Sequence, residues 1–322
     1  MKTKQYLAID IGGTSVKLGI VDETGAVLAK AEESVSFDGY ETPILTTVCK
    51  AAKAFVEAQN LSPAALVGVG VSATGQIDSR AGTVVGTCGN LPHYIGSPIK
   101  AELESLFGLP VTVANDANCM CLGEDWVGGA KGYTDVIGVT LGTGVGSGLI
   151  VNGELLRGAT CSAGELGQTS IDYRGRLGHY GNRGSLEDYV GNREIAADAR
   201  TLYASHGVDK AIVDCNPIAL ERAALAGDEV AAQVWRDLAV KLSCALMNCC
   251  YLLNPEAIII GGGVAKAKTL LFQPLQEIMK TQLAAPLVEH LEILPAQFGT
   301  EAGILGSAHL ALNTHFGETF RA

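Results

Sequence analysis

The sequence predicts an α/β protein built from two domains. Three observations carry that reading: 322 residues exceed one typical core, strand and helix patterns alternate along the chain, and one glycine-rich hairpin occurs twice. The first copy is Ala8-Ile9-Asp10-Ile11-Gly12-Gly13-Thr14, followed by Val16, Leu18, Ile20 and Val21. The second is Val139-Thr140-Leu141-Gly142-Thr143-Gly144, followed by Val145, Leu149, Ile150 and Val151. β-Branched residues flank both turns, and polar turns close each unit at Glu23-Thr24-Gly25 and Asn152-Gly153. Glycines at a tight turn let backbone N–H groups approach an anion, and a Thr hydroxyl adds a donor. Two such turns suit a polyphosphate clamp. Two ordinary hairpins are the plainer alternative; the repetition, with a carboxylate in one copy, favours nucleotide binding.

After the first hairpin the spacing predicts a helix over about 41–59, then a buried strand over 66–71 that ends at Ser72-Ala73-Thr74-Gly75. Residues 98–107 read as a short amphipathic helix, with Pro98 at its start and Gly108 just past its end. A strand over 111–114 stops at Asn115-Asp116-Ala117-Asn118. The second half repeats the scheme: a hairpin over 136–151, helices over 193–204 and 218–253 (the latter broken near Gly227), and a strand over 257–260 running into Gly261-Gly262-Gly263. A helix over 302–312 closes the chain. The matching order implies an internal duplication with the nucleotide in a cleft between the halves. The expected domains are a smaller one, 1–117 plus about 301–322, and a larger one, 118–300.

A composition of 48% hydrophobic and 18% charged residues describes a well-buried chain, not a disordered or fibrous one. A formal net charge of −11 repels nucleic acid and anionic membrane, so neither is an expected partner. Met1-Lys2-Thr3-Lys4 leads straight into a short strand, so no signal peptide is expected. No apolar stretch reaches the roughly 18 residues of a membrane span. The nine cysteines are an odd number scattered through the chain, which suits reduced, buried thiols of a cytoplasmic protein.

Phosphoryl transfer needs charge stabilisation at the transferred group, in-line positioning and a proton acceptor. Asp10 sits beside the first glycine turn, where it either supports Mg²⁺ through water or caps the turn. Asp116 directly follows a strand, at the end where ligands of α/β sheets bind, which suits a general base for a sugar hydroxyl; an N-cap for the next helix is the alternative. Glu165 and Gln168 lie in a loop of small residues and either bond vicinal hydroxyls or face solvent. Glu187 reads as an acidic helix opener or a further sugar contact. Gly261 and Gly262 offer bare backbone to an adenine, or make a routine strand-to-helix turn. Cys119-x-Cys121 and Cys249-Cys250 lack His partners at zinc spacing and read as core residues.

Taken together, "AIDIGGTSVKLGIVD", "VANDANC", "TLGTGVGSGLIVNGELLRG", "SAGELGQ" and "IIGGGV" resemble the ROK family of sugar kinases, of the actin/hexokinase superfamily, from about Lys4 to Leu312. The resemblance implies two ribonuclease-H-like (actin-like ATPase) domains flanking an interdomain cleft, with ATP and Mg²⁺ as cofactors and Mg²⁺ near Asp10. It places Gly12, Gly13, Thr14 and Lys17 in the first phosphate motif, Gly142, Thr143 and Gly144 in the second, and Gly261 and Gly262 in the adenosine motif. Asp116 becomes the catalytic base toward a sugar hydroxyl, usually the 6-hydroxyl, and Gly75, Asn90, Asn115, Glu165 and Glu187 match sugar-contacting positions.

One segment departs from the family. Relatives commonly hold a structural zinc with a His ending "AGExGH" and three Cys of a "CxCGxxGCxE" loop. The aligned residues here are Gln168, Gly178, Tyr180 and Ser185, so no structural zinc is expected, and the neighbouring His179 reads as an exposed loop residue or a sugar contact. The His of relatives also touches the sugar, so Gln168 is expected to shape specificity. Glucose is the default acceptor; another hexose, a glucoside or an N-acetylhexosamine are alternatives, and a dimer or tetramer is expected. A sugar-sensing ROK regulator is the reading from another class. Its DNA-binding segment would precede the first phosphate strand, which begins by about Lys4, so none is expected.

Overall fold

Aliphatic residues on both sides of the first glycine turn form two antiparallel strands, β1 (Gln5–Ile11) and β2 (Ser15–Asp22), with Ile11 opposite Val16. The chain then turns where the Asp22 carboxylate accepts from the Thr24 and Ala26 N–H groups, and β3 (Val27–Ser34) pairs with β2. The computed structural model describes residues 3–86 and 91–313. Helix α1 (Ile44–Ala58) begins only after Pro43, because a residue without an N–H can precede the first turn at no loss. Strand β4 (Gly68–Ala73) runs parallel to β1 and is buried throughout. It extends two residues beyond the expected end because Ser72 and Ala73 stay in register with Asp10 and Ile11.

A small ribbon follows, β5 (Gln76–Asp78) with β6 (Thr83–Gly86). Helix α2 (Ile99–Phe107) stops at Gly108, whose φ of 64° makes the left-handed cap that glycine adopts freely. Strand β7 (Val111–Asn115) lies parallel to β4, and α3 (Asp116–Val127) starts at once from its end. The sheet order is β3-β2-β1-β4-β7. The closing helix, Ala302–Leu312, falls in this same unit and packs on α3, β1 and β4. Its small residues allow that approach: a Cβ on Gly306 would stand 1.7 Å from the Cys119 carbonyl oxygen.

The second unit, Gly132–Glu154 with Gly164–Gly299, repeats the plan. Strands β8 (Val136–Leu141) and β9 (Val145–Val151) flank the second glycine turn as an antiparallel pair, with β10 (Glu154–Leu155) at the edge. Four helices follow: α4 (Glu187–Val190), α5 (Asn192–Ser205), α6 (Pro217–Leu225) and α7 (Glu229–Leu253). The break expected near Gly227 is there; Gly227 takes φ 93°, and Asp228 caps α7 by accepting from Val230 and Ala231 N–H. Strand β11 (Ala257–Gly261), α8 (Thr269–Gln282), α9 (Ala285–Val288) and β12 (Glu292–Pro295) complete the unit. Its sheet order, β10-β9-β8-β11-β12, repeats the first: an antiparallel edge, then parallel strands.

Each unit has its own core. One gathers Leu7, Ile9, Val69, Val71 and Val113; the other gathers Trp235, Leu242, Leu246, Ile258 and Ile260. Burying each such side chain contributes about 1.5–3 kcal/mol of transfer free energy. Among the described residues no helix is long and apolar enough to cross a membrane. The described cysteines are all free; Cys119, Cys121, Cys161, Cys215 and Cys250 are buried as small apolar residues.

Candidate active site

The carboxyl ends of β1 and β4 bring Asp10 and Ser72 side by side. Ser72 Oγ donates to Asp10 Oδ1 at 2.7 Å, and Lys17 Nζ, across the hairpin on β2, lies 3.3 Å from Oδ2. Asp10 is therefore not capping the glycine turn. The turn closes itself, through Gly12 N–H to the Ser15 carbonyl at 2.9 Å, and Tyr40 donates its hydroxyl to the Gly13 carbonyl. Thr14 is exposed at the tip. On its other side Asp10 meets the closing helix: a Cβ on Gly303 would fall 2.5–2.7 Å from the carboxyl atoms.

Asp116 is the first residue of α3, and the capping role belongs to its neighbour. Asn115 Oδ1 accepts from Ala117 and Asn118 N–H, while Asn115 Nδ2 donates to the Gly75 carbonyl at 2.9 Å. Asn115 thus ties the end of β7 to Gly75, and the Asp116 carboxylate accepts from Ala117 N–H at 2.8 Å. Desolvation first, and the charge of Asp10 second, push the Asp116 carboxyl up to about 6, against hydrogen bonds from Ala117, Asn115 and Thr74. The residue itself is exposed at the start of α3, open to a reacting group. Behind it the Cys119 thiol is fully buried and pushed far up by desolvation, so it is an inert packing group. Asn90 lies outside the described residues.

In the second unit the glycine turn meets Gln168 and Glu187. Val145 N–H, at the start of β9, donates to Glu187 Oε2 at 2.8 Å, and Gln168 Nε2 lies 3.4 Å from Glu187 Oε1. Glu187 opens α4, but its side chain reaches back to the turn; a Cβ on Gly144 would stand 2.4 Å from Oε2. Burial first and Glu187 second raise the Glu165 carboxyl above its usual range. The turn itself is held by Gly142 N–H to the Gly144 carbonyl and by Asn192 N–H to the Gly142 carbonyl, leaving Thr143 exposed. Gly261 ends β11 beside Thr140. Gly262 takes φ 89° and sits so close to β8 that a Cβ would be 2.2 Å from the Leu141 carbonyl oxygen, which brings the expected adenosine and second phosphate motifs together.

Sequence reasoning missed three contributors, and it expected Asn115 as a sugar contact and not as the cap of α3, although Asn is a residue type preferred as an N-cap. Ser72 carried a signal, a hydroxyl at a strand's carboxyl end. Gly303 and Tyr40 become visible only through tertiary contact. The four positions aligned with zinc ligands provide no imidazole or thiolate. His179 is exposed and packs edge-on against Tyr180, and a single imidazole without thiolate partners does not fit a structural zinc. Among the described residues, no three His, Cys, Asp or Glu side chains converge as a metal centre.

Two α/β units of one strand order, each with a glycine turn after its first strand, define the actin-like ATPase class. Within that class the chain belongs to the ROK family, which residues 6–314 match. The chain is 31% identical over 317 residues to a glucokinase of Halalkalibacterium halodurans, covering 96% of both chains. A ROK family glucokinase from Streptomyces griseus, solved with glucose and AMPPNP, superposes with a TM-score of 0.76 at 30% identity, over 95% of this chain and 98% of that one. The chain is also 25% identical to a xylose repressor of Caldicellulosiruptor bescii, over 95% of this chain and 78% of the repressor.

Proposed function

We propose that this chain transfers the γ-phosphoryl group of ATP to a hydroxyl of a hexose, with the 6-hydroxyl of glucose as the default acceptor. It is an ATP-dependent carbohydrate kinase of the ROK family. The observation that carries the reading is the state of Asp116: relieved of capping by Asn115, held by the Ala117 N–H, and raised to about 6. Such a carboxylate is ionised at neutral pH yet basic enough to take a proton from an attacking hydroxyl. The hydroxyl oxygen bonds to the γ-phosphorus as the bond to the β,γ-bridging oxygen breaks; ADP leaves, and the proton passes to Asp116 Oδ.

On the nucleotide side, Gly12, Gly13, Thr14 and Lys17 form one phosphate turn, Gly142, Thr143 and Gly144 the other, and Gly261 with Gly262 the adenosine wall. Asp10 has lone pairs left after Ser72 and Lys17 and suits water-mediated support of Mg²⁺. Mg²⁺ bound with ATP neutralises charge on the β- and γ-phosphates. On the acceptor side, Glu165, Gln168 and Glu187, together with Gly75, Asn90 and Asn115, orient the sugar. Gln168 holds Glu187 by one carboxylate oxygen while the glycine turn holds the other, so acceptor and phosphate recognition share one carboxylate. We place the enzyme in the cytoplasm as a homo-oligomer.

A coupled assay of ADP formation with Mg-ATP across a hexose panel tests the reading. Glucose turnover at the highest kcat/KM is expected. No turnover of any hexose, glucoside or N-acetylhexosamine would overturn it. The similarity to a repressor makes DNA binding a second reading to test; the net charge of −11 opposes it, and a salt-sensitive gel shift on promoter DNA would establish it.

A further inference from the structure

Arg176 lies midway along the loop from Gln168 to Glu187, and both its backbone and its side chain are engaged. Its N–H donates to the Tyr189 hydroxyl at 2.9 Å, and its carbonyl accepts from Gly184 N–H at 2.7 Å. The guanidinium stands over the Tyr189 ring, 4.5 Å from the centroid. Its two terminal nitrogens diverge: Nη1 donates to the Asp188 carbonyl at 2.7 Å, and Nη2 pairs with Asp198 Oδ1 on α5. Lys241 Nζ, on α7, meets Asp198 Oδ2 at 2.8 Å, so each oxygen of that carboxylate has its own cation. One side chain therefore joins the loop to α4 and α5, and through Asp198 to α7.

The bond to the Asp188 carbonyl answers a local need. In a continuing helix that carbonyl would accept from the N–H four residues on, that of Asn192. Asn192 N–H instead donates to the Gly142 carbonyl at 2.9 Å and so holds the second glycine turn. Arg176 supplies the donor that α4 gives up, at a helix end where a cation is favoured. Helix α4 is a single turn, too short to hold itself, and its first residue is Glu187. With the Arg176 side chain 43% exposed, an isolated ion pair would contribute little. The planar fork and the stacked ring together fix a direction that a point charge would not. The Gln168 end of the loop has a separate tie, from Asn182 Nδ2 to the Gln168 carbonyl at 3.0 Å, so the guanidinium governs the Glu187 end.

We propose that Arg176 is a positioning residue for the acceptor side of the site, acting through its two diverging nitrogens on α4 and so on Glu187, a role that rests on the kinase reading for what Glu187 does there. In a loop whose residues do not fit a structural zinc, the cross-brace is a guanidinium. Glu187 accepts from Val145 N–H and faces Gln168 Nε2, so a shift of α4 displaces the carboxylate expected to meet the sugar. The effect should fall on sugar binding. Asp116, the proposed base, belongs to the other unit, and the second glycine turn keeps its own bond from Gly142 N–H to the Gly144 carbonyl.

The experiment compares Arg176→Met, which keeps the aliphatic stem, with Arg176→Lys, which keeps the charge on a single ammonium. In both, steady-state kinetics with glucose should show the sugar KM raised about fivefold or more, with kcat and the KM for Mg-ATP within about threefold of wild type. Asp198→Asn should raise the sugar KM as well, and adding it to Arg176→Met should raise it no further, because both remove the same link. Hydrogen exchange over residues 184–192 should quicken in each variant. A wild-type sugar KM with wild-type exchange in Arg176→Met would overturn this role. So would full recovery in Arg176→Lys, or a lowered Tm with the sugar KM unchanged, which would leave Arg176 merely structural. If the wild type phosphorylates no hexose, the kinase reading fails on that result and exchange alone decides: quickened exchange in Arg176→Met supports the brace on α4, and unchanged exchange overturns it.

Discussion

Replacing Asp116 with Asn separates chemistry from architecture at one position. The amide oxygen of Asn can still accept from Ala117 N–H at the 2.8 Å seen for the carboxylate, and the cap of α3 belongs to Asn115, so the helix start survives. What disappears is a proton acceptor. A positioned general base contributes about 10²- to 10⁴-fold to rate, so kcat should fall by that factor with the sugar KM little changed. Stability should move the other way. The folded protein raises the Asp116 carboxyl from 3.8 to about 6. Between those values the native state therefore binds more protons than the unfolded state, and stability falls as pH rises through the window. An ionised Asp116 is thus a standing cost at neutral pH, and the Asn variant should melt at the same temperature or higher.

The assay is ADP-coupled turnover of glucose with Mg-ATP, followed as a function of pH and paired with melting curves. Wild-type kcat/KM should climb about one decade per pH unit below the Asp116 value and level off above it, since only the ionised base can accept the proton. Two outcomes would refute the reasoning. One is an Asn variant with kcat within a few-fold of wild type, which would leave Asp116 without a chemical role. The other is a marked drop in Tm, which would make the residue structural.

Three further expectations rest on single contacts. Gly303→Ala puts a methyl 2.5 Å from the Asp10 Cγ, so Asp10 must shift; steady-state kinetics should show a raised KM for Mg-ATP with a smaller change for sugar, and overpacking should cost about 1–3 kcal/mol by urea unfolding. Gly262→Ala meets both a φ of 89° and the Leu141 carbonyl at 2.2 Å, so unfolding should show a loss above about 2 kcal/mol, with weakened ATP binding. His309 stacks on Trp126 with ring centroids 5.1 Å apart, and burial lowers its imidazole from 6.5 to about 4. The unfolded chain then binds the extra proton between those values, so stability should fall as pH drops from 6.5 toward 4; His309→Phe, which keeps the stacked ring, should flatten that limb of the melting profile.

What the sequence disclosed and what it hid divide by distance along the chain. The two hairpins, the cap at Gly108 and the break at Gly227 depend on residues a few positions apart, and turn chemistry made each legible. The setting of Asp10 does not. Its partners are Ser72, brought in by the parallel pairing of β1 with β4, and Gly303, brought in by a helix from the far end of the chain. The same limit applies to Asp116, where an Asn-Asp pair at a strand end did not by itself say which residue caps the next helix, and the backbone gives the cap to Asn115. Strand β3 and helix α8 went unforeseen for the opposite reason: β3 is a largely exposed edge strand, and α8 carries Pro274, so local signals misled. The loop from Gln168 to Asp188 shows the limit most sharply. Sequence reveals that thiolates are missing there. Only the fold reveals that Asn182, Ser185 and Asp188 crowd their oxygens against the bare Cα of Gly178, which is why that position takes glycine, and that Asn182 ties this segment to the Gln168 carbonyl.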